Sequence, residues 1–414
     1  MRHDGRVTYD VAAVRAHFPA LAEGAAHFDG PGGSQVPDLV ADAVAGTLRS
    51  AIANRGTVTA AERRAEAIVV GARQAAADLL NADPGGIVFG RSMTQLTYEL
   101  SRAMAKEWGP SDEVVVSRLD HDANVRPWVH AAQASGATLR WADFDPETGE
   151  LGVEAVAGVL SERTRLVAVT GASNLLGSRP DVGAIAAAVH DAGALLYVDG
   201  VHLTAHCLVD VVALGADFFA CSPYKFLGPH LGLVAAGPAL LESLHPDKLA
   251  PATDAVPERF EQGTLPYELL AGTTAAVDFL AGLVRTTGSR RDRLVSSMAA
   301  LEAHETALRE RLESGLLAVP DVRLYGSLRR RRTPTVLFSV DGVPPQSVYE
   351  QLAARGVNAP AGTFYALECG RRLGLGADGA VRAGVAPYTD ESDVDRLVDG
   401  VAQLNRLTEG VARL

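Results

Sequence analysis

The sequence predicts an α/β fold: a mostly parallel seven-stranded sheet between helices, followed by a smaller α+β module. Three observations carry this. Across residues 86–236 short apolar runs alternate with stretches of helical periodicity, the pattern of a mainly parallel sheet with helices on both faces. After about Leu270 the pattern turns helical and then mixed, which sets off a second unit. The 414 residues, 47% of them hydrophobic, are enough for large buried cores.

In chain order, residues 8–22 have helical spacing and lead into the loop HFDGPGGSQVP. Gly30, Gly32 and Gly33 there permit close backbone approach, so the loop either lines a ligand or makes a tight connection between helices. Helices are expected over 40–53 and 60–81. Predicted strands follow at 87–90, 113–117, 138–142, 166–170, 195–199, 218–222 and 232–236, with helices at 94–107, 123–134, 153–160 and 182–191. Only residues 223–231 join the last two strands, too few for a crossover helix, so one edge is expected to be antiparallel. Helices over 270–285 and 291–314 precede a strand at 335–340 and helices at 345–355 and 390–407. This divides the chain into an N-terminal segment, 1–60, packing with the small module, a large domain, 61–280, and a small domain, 281–414. The four arginines at 329–332 read as a solvated loop.

A net charge of −12 argues against nucleic-acid or anionic-membrane partners. Three cysteines without a CxxC pair give neither a disulfide framework nor a zinc signature, and a reducing cytoplasm is the expected location. No signal-peptide core and no uncharged run long enough to span a bilayer is apparent.

The chemistry-bearing residues fall at the C-terminal ends of the predicted strands, the ligand-facing edge of such sheets. Leu195-Leu196-Tyr197-Val198 ends in Asp199, and the next apolar run delivers Ser222 and Lys225 to the same edge. A lysine among Tyr, Phe and Pro is poorly hydrated, which lowers its pKa and makes it a usable amine for a Schiff base. His121 follows the strand ending at Ser117, as a cap or as a catalyst, and Asn174 follows the strand ending at Thr170, as a donor or in an Asx-turn. Met93 and Thr94 start a helix after a strand, with Thr94 suited to the N-cap; such a start seats an anion, most naturally a phosphate. Neither a P-loop nor a GxGxxG dinucleotide motif is present.

Four ordered motifs, HDANVRPW at 121–128, SNLLG at 173–177, VDGVH at 198–202 and SPYKFLGP at 222–229, resemble the pyridoxal-phosphate (PLP) enzymes of aminotransferase class V. The nearest branch is the cysteine desulfurase-like one, and the likeness runs from about Phe28 to the C-terminus. It implies PLP fold type I, PLP as cofactor and a small amino acid as substrate. By the resemblance, Lys225 would bond the cofactor and later shuttle the Cα proton, while Asp199 would pair with the pyridinium nitrogen. His121 would stack on the ring and His202 would hydrogen-bond the ring oxygen, where many relatives carry Gln; Asn174 is a further candidate cofactor-binding residue. Met93, Thr94, Ser222 and, from a neighbouring subunit, Thr264 would hold the phosphate, so a homodimer is implied. Arg382 would grip the substrate α-carboxylate.

Desulfurases need a cysteine on a loop before that arginine, because a thiolate must attack the substrate sulfur. Here the position falls near Tyr365, a substrate-side residue; Cys369 lies four residues later, and Tyr224 stands before the lysine where desulfurases often have His. Cys207 and Cys221 read as buried small residues. The leading expectation is therefore β-elimination by a C–S lyase acting on cysteine or a cysteine S-conjugate. Desulfuration through Cys369 is second, transamination or epimerisation third, and a PLP-binding protein without turnover is the reading from another class.

Overall fold

Runs such as Val114-Val115-Val116 and Leu196-Tyr197-Val198 are apolar at every position because both faces of their strands are covered. The computed structural model describes residues 9–328 and 331–412. Its main sheet contains Ile87–Gly90 (β1), Glu113–Ser117 (β2), Thr138–Ala142 (β3), Thr164–Thr170 (β4), Leu195–Asp199 (β5), Phe218–Cys221 (β6) and Gly232–Ala236 (β7). The spatial order is β1-β7-β6-β5-β4-β2-β3. Alternate side chains feed two cores: Val114, Leu166, Tyr197 and Phe218 enter one, and Val115, Val167, Leu196 and Phe219 the other.

The sheet is mixed, and one edge is antiparallel as expected, with the reversed strand second from that edge. β7 runs antiparallel to both β6 and β1, and β1 closes the edge beyond it. The short 223–231 connection turns the chain straight back, as the length argument requires, but placing β1 outside β7 is a tertiary choice.

Helix ends follow local chemistry. Ala60–Leu80 starts with a Thr59–Glu62 capping box and stops at Asn81 in a left-handed conformation. Met93–Ala105 is capped by Ser92, whose hydroxyl accepts from Gln95 N, and not by Thr94. Ser92 is the last extended residue, so only its side chain turns back on the first turn; Thr94 is already helical.

The smaller module has an antiparallel sheet ordered Ala361–Gly362, Ala380–Gly384, Thr335–Val340, Val322–Leu324. Helices Arg290–Leu317, Pro345–Ala353 and Glu391–Ala412 pack with it around Leu312, Val336, Phe338, Val381 and Leu397. Ala26–His27 pairs in parallel with Val357–Asn358, and Gly384 N donates to Phe28 O at 2.9 Å. The next helix, Asp38–Arg49, instead lies against Tyr267–Ala281 of the other layer. The Gly-Pro-Gly-Gly loop is stretched between these two attachments.

The arginine run departs from expectation at its end. Arg332 is buried, 2.8 Å from Glu313, and donates to the carbonyls of Leu176 and Thr335. It sits between the modules, where a carboxylate and free carbonyls compensate its charge, whereas Arg331 is exposed. Arg329 and Arg330 lie outside the described residues. Among the described residues no helix is long and apolar enough to cross a membrane.

Candidate active site

A cavity of about 560 Å³ opens at the C-terminal ends of β4 and β5, between the sheet and the small module. Lys225 reaches it from the short Pro223–Lys225 turn after β6. Its Nζ donates to the carbonyl of Pro31 and lies 5.0 Å from the Tyr224 ring centre. Burial, reinforced by the Arg382 charge and opposed by Asp199, pushes the amine down to about 7.

Asp199 ends β5, its Cα paired with Thr170 on one side and Ala220 on the other. Its Oδ1 accepts from Val201 N at 2.9 Å. Burial pushes the carboxyl up to about 6, against the Val201 bond and the Lys225 charge.

His121 both caps and lines the cavity. Its Nδ1 accepts from Ala123 N at 3.0 Å, so in the neutral ring the proton is on Nε2. Burial, then the charge of Lys225, lowers it to about 4, so the ring is neutral at pH 7. His202 is buried, with Nε2 2.9 Å from Thr335 Oγ1 and 3.0 Å from Thr333 Oγ1. Burial and then His206 hold it well below the ordinary histidine value.

Asn174 also lines the cavity, but its Nδ2 donates to Phe364 O at 2.9 Å rather than closing an Asx-turn; its Oδ1 is buried without a partner. Arg382, in the middle of Ala380–Gly384, donates from Nη1 to Asn174 O at 3.0 Å. Burial brings this guanidinium down to about 9, with Asp29 opposing. Met93, Thr94 and Ser222 also line the cavity, as does Tyr365, which is 76% exposed.

The structure thus brings together all the sequence-predicted site residues except Thr264. That residue is exposed and does not line the cavity of its own chain. Sequence reasoning missed Phe364, Tyr98 and Arg126. Nothing local marks Phe364, since its left-handed backbone is unusual for an aromatic residue. Pro31 and Gly32 line the cavity, and the same loop turns tightly, with Gly32 N donating to Asp29 O at 2.7 Å and Gly33 N to Gly30 O at 2.9 Å. Cys369 is fully buried in the helix Leu367–Arg372, away from the cavity lining, and burial raises its thiol pKa. Cys207 and Cys221 are buried as well.

The residues present fit PLP. A Cβ on Gly232 would come within 2.1 Å of Ser92 C and 2.2 Å of Met93 N, so only glycine lets β7 pass beneath the start of Met93–Ala105. That helix start offers N–H groups to an anion beside Ser222. Lys225 supplies an amine for an aldehyde and Asp199 an anion for a ring cation; Asn174 Oδ1 and Arg382 Nε are buried polar atoms still lacking partners.

The sequence profile described as aminotransferase class-V matches residues 26–397. The chain belongs to the class-V aminotransferase family. Class-V aminotransferases depend on PLP, and this member is an enzyme of the cysteine desulfurase-like kind. It is 34% identical to the aminotransferase-like protein FGM3 of Gibberella zeae, over 94% of this chain and 97% of that protein. A cysteine desulfurase of Klebsiella pneumoniae is 32% identical over 97% of this chain and all of its own length. Among solved structures, the Escherichia coli cysteine desulfurase CsdA superposes with a TM-score of 0.85 at 27% identity, covering 97% of this chain and 99% of that one.

Proposed function

We propose that this class-V enzyme cleaves the Cβ–S bond of cysteine or a cysteine S-conjugate by β-elimination, without a protein persulfide. The observation that carries the reading is the composition of the cavity: it presents Lys225, Asp199 and Arg382, and no cysteine lines it among the described residues.

Met93, Thr94 and Ser222 would hold the phosphate of PLP, Asp199 its ring nitrogen, and His121 one ring face. Bound there, PLP supplies an electron sink for charge developing at the substrate Cα. Arg382 binds the substrate carboxylate, and Lys225 Nζ takes the proton from Cα. With that proton removed, the electron pair of the broken C–H bond forms the Cα–Cβ double bond, and the sulfur leaves with the Cβ–S pair. Hydrolysis of the resulting enamine releases pyruvate and ammonia. Neutral His121 and buried His202 keep added cationic charge away from Lys225 during proton transfer.

Desulfuration is a second reading, favoured by the relatives named cysteine desulfurase. It requires a thiolate at the substrate sulfur, and burial disfavours ionisation of Cys369. Incubation of the pure enzyme with cysteine, cystine and S-conjugates, with pyruvate, alanine and persulfide assayed separately, discriminates the two. Pyruvate with ammonia, unchanged in Cys369→Ser, is expected. Alanine together with a persulfide that disappears in Cys369→Ser would replace elimination by desulfuration; keto acid formed only with an amino acceptor would mean transamination.

A further inference from the structure

Phe364 and Tyr365 are consecutive non-glycine residues with φ of +52° and +58°, a left-handed conformation that side-chain-bearing residues adopt rarely and at a cost. Two loops of the large sheet hold them there. Asn174 Nδ2 donates to Phe364 O at 2.9 Å, and Asp122 N donates to Tyr365 O at 2.7 Å. The outcome of this conformation is the placement of the Phe364 ring, whose centre lies 3.8 Å from the Arg382 guanidinium carbon.

The rest of the guanidinium is constrained in a complementary way. Nη1 is committed to Asn174 O at 3.0 Å. Nε is buried without a partner. Nη2 faces Gly32, where even a Cβ would approach to 3.6 Å. The Nε and Nη2 hydrogens share one edge of a guanidinium, the edge that matches two carboxylate oxygens side by side. Asn174 closes the circuit, because its side chain holds the Phe364 carbonyl while its own carbonyl holds Nη1.

Resting on the amino-acid reading above, we infer that Phe364 is the positioning residue of the carboxylate grip: its ring fixes the plane of Arg382 so that the Nε–Nη2 edge, whose Nε is buried without a partner, meets a free α-carboxylate. Stacking on an aromatic face removes rotational freedom before the ligand arrives, so less is lost on binding. The same device discriminates. A carboxylate satisfies both donors of the edge with charge, whereas an amide brings a single acceptor oxygen and an N–H that opposes a donor. The enzyme is therefore selective for amino acids with a free carboxyl over their amides.

The holoenzyme tests this with glycine and glycinamide, binding being read from the visible absorbance of the lysine-bound cofactor. Phe364→Leu keeps bulk and loses the aromatic face; it is expected to weaken glycine about tenfold and glycinamide less than about twofold. Phe364→Tyr retains the face and is expected to bind both like the wild type. With a turned-over substrate, Phe364→Leu raises KM while kcat stays within about twofold. Equal weakening of both ligands in Phe364→Leu, or no weakening, overturns the assignment, as does a wild type that does not prefer glycine. If glycine binding behaves as stated and no C–S cleavage is found, the positioning role stands and the reaction assignment falls. Absence of the lysine-bound absorbance in the wild type removes both.

Discussion

The amine of Lys225 is where burial is translated most directly into reactivity. An ordinary lysine with a pKa of 10.5 is neutral at pH 7 to the extent of roughly one molecule in three thousand; at about 7, half of Lys225 is neutral. Because only the neutral amine attacks an aldehyde, capture of PLP by cofactor-free protein is expected to rise about tenfold between pH 6 and 8 and then level off. A lysine of ordinary pKa would gain about a hundredfold over the same interval and keep rising to beyond pH 10. The neighbours move the midpoint with defined signs. Arg382 depresses the Lys225 pKa and Asp199 raises it, so Arg382→Gln shifts the midpoint upward and Asp199→Asn shifts it downward. Stopped-flow absorbance after mixing with PLP measures all three proteins. A rate that still climbs tenfold per pH unit above pH 9 would refute the argument, because burial would then not be neutralising the amine.

Two further predictions concern the frame. Gly232→Ala drives a methyl against the Ser92–Met93 backbone, an overpacking expected to cost about 1–3 kcal/mol in urea unfolding and to loosen PLP retention; Gly46→Ala, in a helix with open space around that position, should match or slightly exceed wild-type stability and leave PLP retention alone. Arg332→Met removes the nearer counter-charge of the Glu313 carboxylate between the modules, leaving only the Arg309 guanidinium, 3.9 Å away. It is expected to cost about 3–5 kcal/mol by urea unfolding, most of it recovered in the double variant with Glu313→Leu, and a loss below about 1 kcal/mol would show the pair to be well solvated.

The sequence determined those features that have a local or periodic physical cause. Fully apolar runs make buried strands, so the strands containing Val114-Val115-Val116 and Leu196-Tyr197-Val198 were legible, as was their parallel arrangement. An acid at the end of such a run, or a lysine in the short turn that follows one, emerges at one sheet edge, which placed Asp199 and Lys225 in one cavity with His121, Asn174 and Ser222. Tertiary structure alone decided what depends on segments far apart in the chain. Pairing partners put β1 outside β7; compensation by the distant Leu176 carbonyl and the Glu313 carboxylate buried Arg332 in a run that reads as solvated. Hydrogen bonds from Asn174 and Asp122 imposed a left-handed turn on Phe364 and Tyr365 that no local preference would choose. The amine and carboxylate were therefore legible in the sequence, whereas the aromatic plane against Arg382 comes from contacts that form only when the two modules meet.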